Sequence, residues 1–211
     1  MSESQITLYG VHLSGHVHRV ELLLGMLQIE YRFVEAPAEV RRSAEFLRLN
    51  PLGQIPVLQD GATVLVDSNA ILVYLAKRYA PGGPWLPEDP VAASNVQRWL
   101  SIAAGEVKYG PAKARIATLW GNPTDRGDAD EIAARLLPFV DGYLTDRLYL
   151  AVEHPTIADL ACYSYIAHAP EGGISLEPYG AVQRWLGRVE SLPRFQPMPR
   201  SVRPLTPSSV S

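Results

Sequence analysis

The chain has a single cysteine, Cys162, in 211 residues. That excludes an intrachain disulfide framework and any Cys-x-x-Cys redox pair. Cys162 sits in the apolar run of residues 160–166, which predicts a buried packing role. Long hydrophobic runs are also missing: none approaches the roughly 18 residues of a membrane span, and residues 1–5 lack the charged and apolar regions of a signal peptide. No membrane partner and a cytoplasmic location are therefore expected. Excess charge of one sign is scarce, with a net charge of −3 and scattered basic residues. Nothing calls for nucleic acid, and the Arg41-Arg42 pair is too short for a phosphate-binding patch. His12, Ser14, His16 and His18 crowd one segment without an accompanying cysteine or carboxylate and without a Gly-x-Ser-x-Gly setting, so no metal centre and no serine hydrolase is expected.

Proline and glycine are concentrated where they divide the chain. Residues 81–90 hold four prolines and two glycines, which neither a helix nor a central strand accommodates. This segment is read as a linker. Before it, residues 1–80 carry strand signals mixed with helices. After it, residues 91–195 are helical in pattern, with helices expected over 91–119, 128–144, 157–168 and 179–192. Thr156-Ile157-Ala158-Asp159 has the form of a capping box opening the third of these. Residues 196–211, with four prolines and four serines, are expected to be an extended or partly disordered tail. A 47% hydrophobic content is enough to build a substantial core.

The most informative segment is Asn50-Pro51-Leu52-Gly53-Gln54-Ile55-Pro56, followed by Asp67-Ser68-Asn69. Pro56 precedes the apolar pair Val57-Leu58 and suits the first position of a strand, where no ladder donor is needed; the Ile55-Pro56 bond is expected to be cis. Asp60-Gly61 separates residues 57–59 from 63–66 in the manner of a two-residue hairpin. Ser68 is a suitable N-cap for a helix running to Tyr79. The free N–H groups of that helix start favour a carboxylate, and the Asp67 side chain beside it favours an ammonium. An α-amino acid head group carries both.

Order and spacing of these segments resemble the N-terminal domain of the glutathione transferases, in particular the plant phi and tau members and related bacterial ones. The likeness covers a strand at residues 7–9, Ser14, a helix through Arg19-Val20-Glu21-Leu22, the basic pair Arg41-Arg42 and the loop ending at Pro56. The resemblance implies an α/β plus all-α protein: a thioredoxin-like domain with a mixed four-stranded sheet, then an all-helical domain. It implies glutathione as co-substrate, a small-molecule electrophile as partner, a detoxification role and a homodimer. Ser14 would donate a hydrogen bond to the glutathione sulfur. Ile55 and Pro56 would meet the cysteinyl unit, Asp67 and Ser68 the γ-glutamyl end, and Arg41, Arg42 and Gln54 the glycyl end. His12, His16, Glu106 and Tyr109, with Arg115, are candidates for the electrophile pocket. Arg19 is read as structural, and Trp99, Trp120 and Trp185 as packing.

Two departures from the family pattern stand out. Gly15 replaces the usual proline after the serine and is expected to loosen the turn; Asp67 replaces the usual glutamate and shortens the reach by one methylene. Alternatives on the same fold are a glutathione-dependent isomerase, peroxidase or dehalogenase, and a non-catalytic binding or assembly module.

Overall fold

The computed structural model describes residues 6–121 and 123–201. Strand β1 (Ile6–Gly10) is followed by helix α1 (Gly15–Met26), then strand β2 (Tyr31–Glu35), parallel to β1. Two short helices, α2 (Ala38–Arg41) and α3 (Ala44–Leu49), lead to strands β3 (Val57–Asp60) and β4 (Thr63–Val66), and helix α4 (Ser68–Tyr79) closes this half. The sheet order is β2-β1-β3-β4, with β3 antiparallel to both β1 and β4. Mixed sheets of this kind need a helical crossover between the parallel pair, which α1 supplies.

Burial follows position in the sheet. The edge strands β2 and β4 are only partly covered, whereas Leu8 of β1 and Val57 and Leu58 of β3 are fully buried. One core cluster joins Leu8, Val20, Leu23 and Leu24 to Ile71, Leu72 and Leu75 of α4 and continues without a break into the second half. A smaller cluster, Ala36, Phe46 and Val57, lies apart from it and is flanked by Ile55. Truncating Leu75 to alanine in such a core costs about 2–5 kcal/mol.

The hairpin turns one residue later than its sequence suggests. Asp60 still pairs with Thr63, and of the two loop residues Gly61 alone takes a positive φ, +58°. The Ile55-Pro56 bond is cis, and β3 begins one residue after the proline.

The second half is helical: α5 (Pro90–Ile102), α6 (Lys113–Leu119), α7 (Ala129–Tyr143), α8 (Ile157–Ala167) and α9 (Gly180–Glu190). The expected single helix over 91–119 is interrupted between α5 and α6 by wide π-helical turns at Ala103–Ala112. Pro111 removes one N–H from the ladder there, and its ring would clash with the carbonyl four residues back in a regular α-helix. The capping box forms as expected, with Thr156 Oγ1 accepting from Ala158 N at 3.2 Å and Asp159 Oδ2 accepting from Thr156 N at 2.9 Å. Asp159 is fully buried and also receives Leu150 N and Trp185 Nε1, so it ties α8 to the preceding loop and to α9. Cys162 is fully buried, and burial pushes its thiol up to about 12.

Residues 196–201 form no regular element but are held to the body: the Gln196 carbonyl accepts from His18, and Met198 is buried. The remainder of the expected tail, 202–211, lies outside the described residues. Among the described residues no helix is long and apolar enough to cross a membrane.

Candidate active site

Ser14 is the N-cap of α1. Its backbone is extended (φ −86°, ψ 117°), and its Oγ accepts a long contact from Val17 N at 3.4 Å. An Oγ that accepts from the helix keeps its own proton available for another group. Two residues further on, His16 Nδ1 lies 3.4 Å from the Ser68 hydroxyl, which brings the start of α1 against the start of α4. Burial, then Arg19 and Lys108, pull the His16 pKa down to about 3, so this imidazole is neutral at physiological pH.

At the start of α4 the capping residue is Asp67, one position earlier than expected. Its φ is +69°, and Oδ1 accepts from both Asn69 N and Ala70 N, at 2.9 and 3.0 Å. Aspartate tolerates the left-handed region and reaches its own helix N–H groups, which accounts for the shorter acid at this position. Ser68, expected to cap, is instead the first helical residue and is buried.

Arg19 lies beneath this turn. It is 1% exposed and donates from Nη1 to Asn69 Oδ1 at 2.9 Å and to Ser68 Oγ at 3.3 Å. Its Nε and Nη2 have no hydrogen-bond partner among the described residues. Desolvation lowers its pKa, while Tyr165, Cys162 and Asp67 favour the charge. Arg19 thus sets a buried cation under the Asp67-Ser68-Asn69 turn, and Asn69 fixes that turn to the helical domain through a 2.9 Å bond from Nδ2 to the Leu100 carbonyl. In the sequence no local pattern distinguishes position 19 from an ordinary structural arginine on a helix.

The loop ahead of Pro56 is shaped by Asn50. Its Nδ2 donates to the Gln54 carbonyl at 2.8 Å and its Oδ1 accepts from Leu52 N at 3.1 Å, so one buried side chain holds both limbs. Arg41, Arg42, Leu52 and Gly53 line a cleft of about 330 Å³ on the outer side of that loop. Arg42 is exposed and spends Nε on the Ala38 carbonyl at 3.0 Å, whereas Arg41 is half-buried and its Nε has no partner among the described residues. A second cleft, about 310 Å³, is lined by Asp67, Asn69, Gln97, Leu100 and Ser101. Neither cleft includes Ser14 among its lining residues.

The histidines in and just before the first helix diverge. His12 is half-exposed and does have carboxylates beside it: Nδ1 is 3.2 Å from Glu21 Oε1 and Nε2 is 3.9 Å from Glu35 Oε1, with the ring stacked 4.0 Å from Phe33. Sequence proximity hid these, because Glu35 comes from the neighbouring strand. His18 is buried, with Nδ1 2.9 Å from Ser164 Oγ and Nε2 2.8 Å from the Gln196 carbonyl. Glu106 and Tyr109 are exposed on the wide-turned segment, with Lys108 5.1 Å from the Tyr109 ring. Arg115, expected to face an electrophile, is 1% exposed and pairs Nε with Glu171 Oε2 at 2.8 Å. Trp99 and Trp185 are fully buried, but Trp120 is 48% exposed, with the Arg115 guanidinium 5.3 Å from its ring.

Gly15 follows the Ser14 cap as the first residue of α1. It is buried, and the space a Cβ would take is filled by the ring of Tyr165 from α8. No sequence signal links positions 150 residues apart.

A thioredoxin-like sheet with a serine at the first helix start, a cis-proline loop and an Asp-Ser helix start, joined to a helical domain, defines the class of glutathione-handling two-domain proteins. The comparisons agree. Residues 8–85 match the model of the glutathione S-transferase N-terminal domain, and residues 121–193 that of the glutathione S-transferase C-terminal domain. Glutathione S-transferase 3 of Zea mays is 28% identical over 98% of both chains. A glutathione S-transferase from Pseudomonas fluorescens is 32% identical, with a TM-score of 0.86, covering 92% of this chain and 99% of its own. A transferase homologue from Drosophila mojavensis, solved with bound glutathione, is 28% identical with a TM-score of 0.77, covering 90% and 89%. The chain belongs to the glutathione S-transferase family, and it is a glutathione transferase enzyme.

Proposed function

We propose that this transferase binds glutathione along the edge formed by the Pro56 loop and the start of α4 and conjugates its thiolate to small hydrophobic electrophiles. Ser14 supports this reading most directly, as a hydroxyl placed at a helix N-terminus with its oxygen accepting from the helix backbone. A thiol with a pKa near 8.5 is only a few per cent ionised at neutral pH. Lowering that value by about two units takes roughly 2.7 kcal/mol, and one hydrogen bond to a charged group supplies about 1.5–3 kcal/mol. The helix dipole adds a smaller share. Ser14 acts as a donor and forms no covalent bond.

The rest of the tripeptide is placed by charge. Asp67 Oδ2 is left for the γ-glutamyl ammonium once Oδ1 has capped the helix, and the Ser68 hydroxyl with the first N–H groups of α4 takes the α-carboxylate over the Arg19 cation. Ile55 and Pro56 present the cysteinyl unit, with Gln54 beside the glycyl end. Arg41, whose Nε has no partner among the described residues, is the stronger cation for the glycyl carboxylate, and Arg42 the weaker. His16, Glu106 and Tyr109 belong to the side facing the helical domain, where the electrophile enters; His12 braces the outer face of the Ser14 loop. A cytoplasmic detoxifying homodimer completes the reading, and sedimentation at the mass of a single chain at micromolar concentration would contradict the dimer.

The test is a pH titration of thiolate absorbance with bound glutathione, repeated with aryl halides, isothiocyanates and hydroperoxides. An ionised thiol and turnover of aryl halides or isothiocyanates are expected. No thiolate band at millimolar glutathione would leave the fold as a scaffold, and turnover of hydroperoxides alone would replace conjugation by peroxide reduction.

A further inference from the structure

The peptide unit between Leu13 and Ser14 is held at both ends. Its N–H donates to the Val11 carbonyl at 2.9 Å, within the loop, and its C=O accepts from Arg115 Nη1 at 2.9 Å, from α6 of the helical half. On the other side of Ser14, its own carbonyl accepts from Val17 N at 3.0 Å and His18 N at 2.9 Å as α1 begins. A residue turns only about φ and ψ, between two rigid peptide planes. Holding both planes around Ser14 therefore fixes the direction in which its Cβ, and with it the hydroxyl, leaves the chain. Of these four bonds, three are made within four residues of Ser14, and the one from Arg115 comes from the other half of the molecule.

Arg115 is fixed in place by its own half before it reaches the loop. It is 1% exposed, its Nε donates to Glu171 Oε2 at 2.8 Å, and its guanidinium stands 5.3 Å from the Trp120 ring. Glu171 belongs to a short 3₁₀ turn, Ala169–Gly172, and Gly172 lets that turn lie directly on α6: a Cβ there would stand 2.7 Å from Arg115 N and 3.0 Å from Arg115 Cα. A guanidinium is planar with its donors in a fixed fork, so anchoring Nε on Glu171 settles where Nη1 points. We propose that Arg115 is a positioning residue for Ser14, through which the helical domain sets the tilt of the peptide that carries the donor hydroxyl. Hydrogen bonds weaken steeply as their angle closes, and small displacements of a catalytic group cost large factors in rate. Losing the Arg115 bond thus weakens the hold of Ser14 on the thiolate and leaves the glutathione contacts at Asp67 and the Pro56 loop in place.

The role of Arg115 rests on the donor role proposed for Ser14. It is tested in the full chain with Arg115→Leu combined with Glu171→Gln, which removes the bond to Leu13, strands no carboxylate and leaves the net charge unchanged. The apparent pKa of the bound glutathione thiol should rise by roughly half to one unit, with turnover at pH 6.5 falling about three- to tenfold and KM for glutathione within about twofold. Glu171→Gln alone keeps Arg115 and an acceptor for its Nε, and should titrate like the wild type. Arg115→Lys, whose one nitrogen cannot serve Glu171 and Leu13 as the fork does, should raise the thiol pKa in the same direction and covers the case of a pair variant that does not fold. In a Ser14→Ala background the pair variant should add nothing, because residues acting as one unit are non-additive. A thiolate titration of the folded pair variant or of Arg115→Lys superimposable on that of the wild type, the full effect from Glu171→Gln alone, a loss confined to KM, or a further rise on top of Ser14→Ala would overturn it. A wild-type protein that never ionises glutathione removes the transferase reading as well; an ionising wild type with an unchanged variant removes the role of Arg115 alone.

Discussion

Arg115, in the helical domain, donates from Nη1 to the Leu13 carbonyl at 2.9 Å, one residue before Ser14 and 102 positions away in sequence. The same guanidinium meets Glu171 through Nε, in a single bond that leaves Arg115 Nη2 and Glu171 Oε1 without partners among the described residues. The loop between β1 and α1 is thereby hung from the second domain. Replacing Arg115 by alanine strands a buried carbonyl and a largely buried carboxylate, which costs roughly 3 kcal/mol or more. Urea denaturation should show this loss, and Glu171→Gln combined with Arg115→Leu should recover part of it. Equal midpoints for the wild type and Arg115→Ala would show that the bond contributes nothing.

Ser14→Ala is expected to leave glutathione affinity within about twofold while the bound thiol returns to its free value, about two units higher. At pH 6.5 that reduces the ionised fraction, and with it conjugation, by about fiftyfold; the deficit should close as pH rises through 8.5. A pH-independent deficit would point to a role other than ionisation.

At Asp67 the cap and the charge can be separated. Asparagine keeps an oxygen for Asn69 N and Ala70 N and tolerates a φ of +69°, but carries no charge for an ammonium. Asp67→Asn should therefore retain thermal stability and weaken glutathione binding about tenfold, the equivalent of about 1.4 kcal/mol. Calorimetric titration giving an unchanged Kd would remove the ammonium contact.

His18 sets a pH limit on stability. Its Nε2–H donates to the Gln196 carbonyl, so the neutral ring takes the Ser164 hydroxyl proton on Nδ1. Burial, opposed in part by the Gln196 bond, lowers its pKa from 6.5 to about 4. Between those values the unfolded chain binds a proton that the folded chain refuses, so stability present above pH 6.5 is lost as pH falls toward 4, by roughly 3 kcal/mol in full. His18→Gln should flatten that part of the acid-unfolding curve, and an unaltered curve would contradict the assignment.

The helical domain depends on Asp159. Thr156→Ala removes the cap bond from Ala158 N and the hydroxyl's bond to Asp159 Oδ2, and should cost about 1–2 kcal/mol. Asp159→Ala also abandons Leu150 N and Trp185 Nε1 in a dry core and should cost several times more, enough to prevent folding at 37 °C. Comparable melting temperatures for the two variants would refute this hierarchy.

Local chemistry made much of the fold legible. The alternation around Asp60-Gly61 and the Thr156 to Asp159 box each act within a few residues, and each appears where the chain predicts it or one position away. The expected single helix over 91–119 differs from the structure because periodicity reports apolar spacing and not ladder geometry, which Pro111 alters.

What the sequence settled alone was the set of segments that recur in order: Ser14, the loop to Pro56, Asp67-Ser68, and a helical second half. Tertiary structure alone decided what stands behind them. Arg19 under Ser68, Arg115 on Leu13 and Tyr165 in the space beside Gly15 are long-range contacts between residues 49 to 150 positions apart. A side chain's partner across a packed core is set by how whole helices dock, and sequence spacing carries no record of that docking.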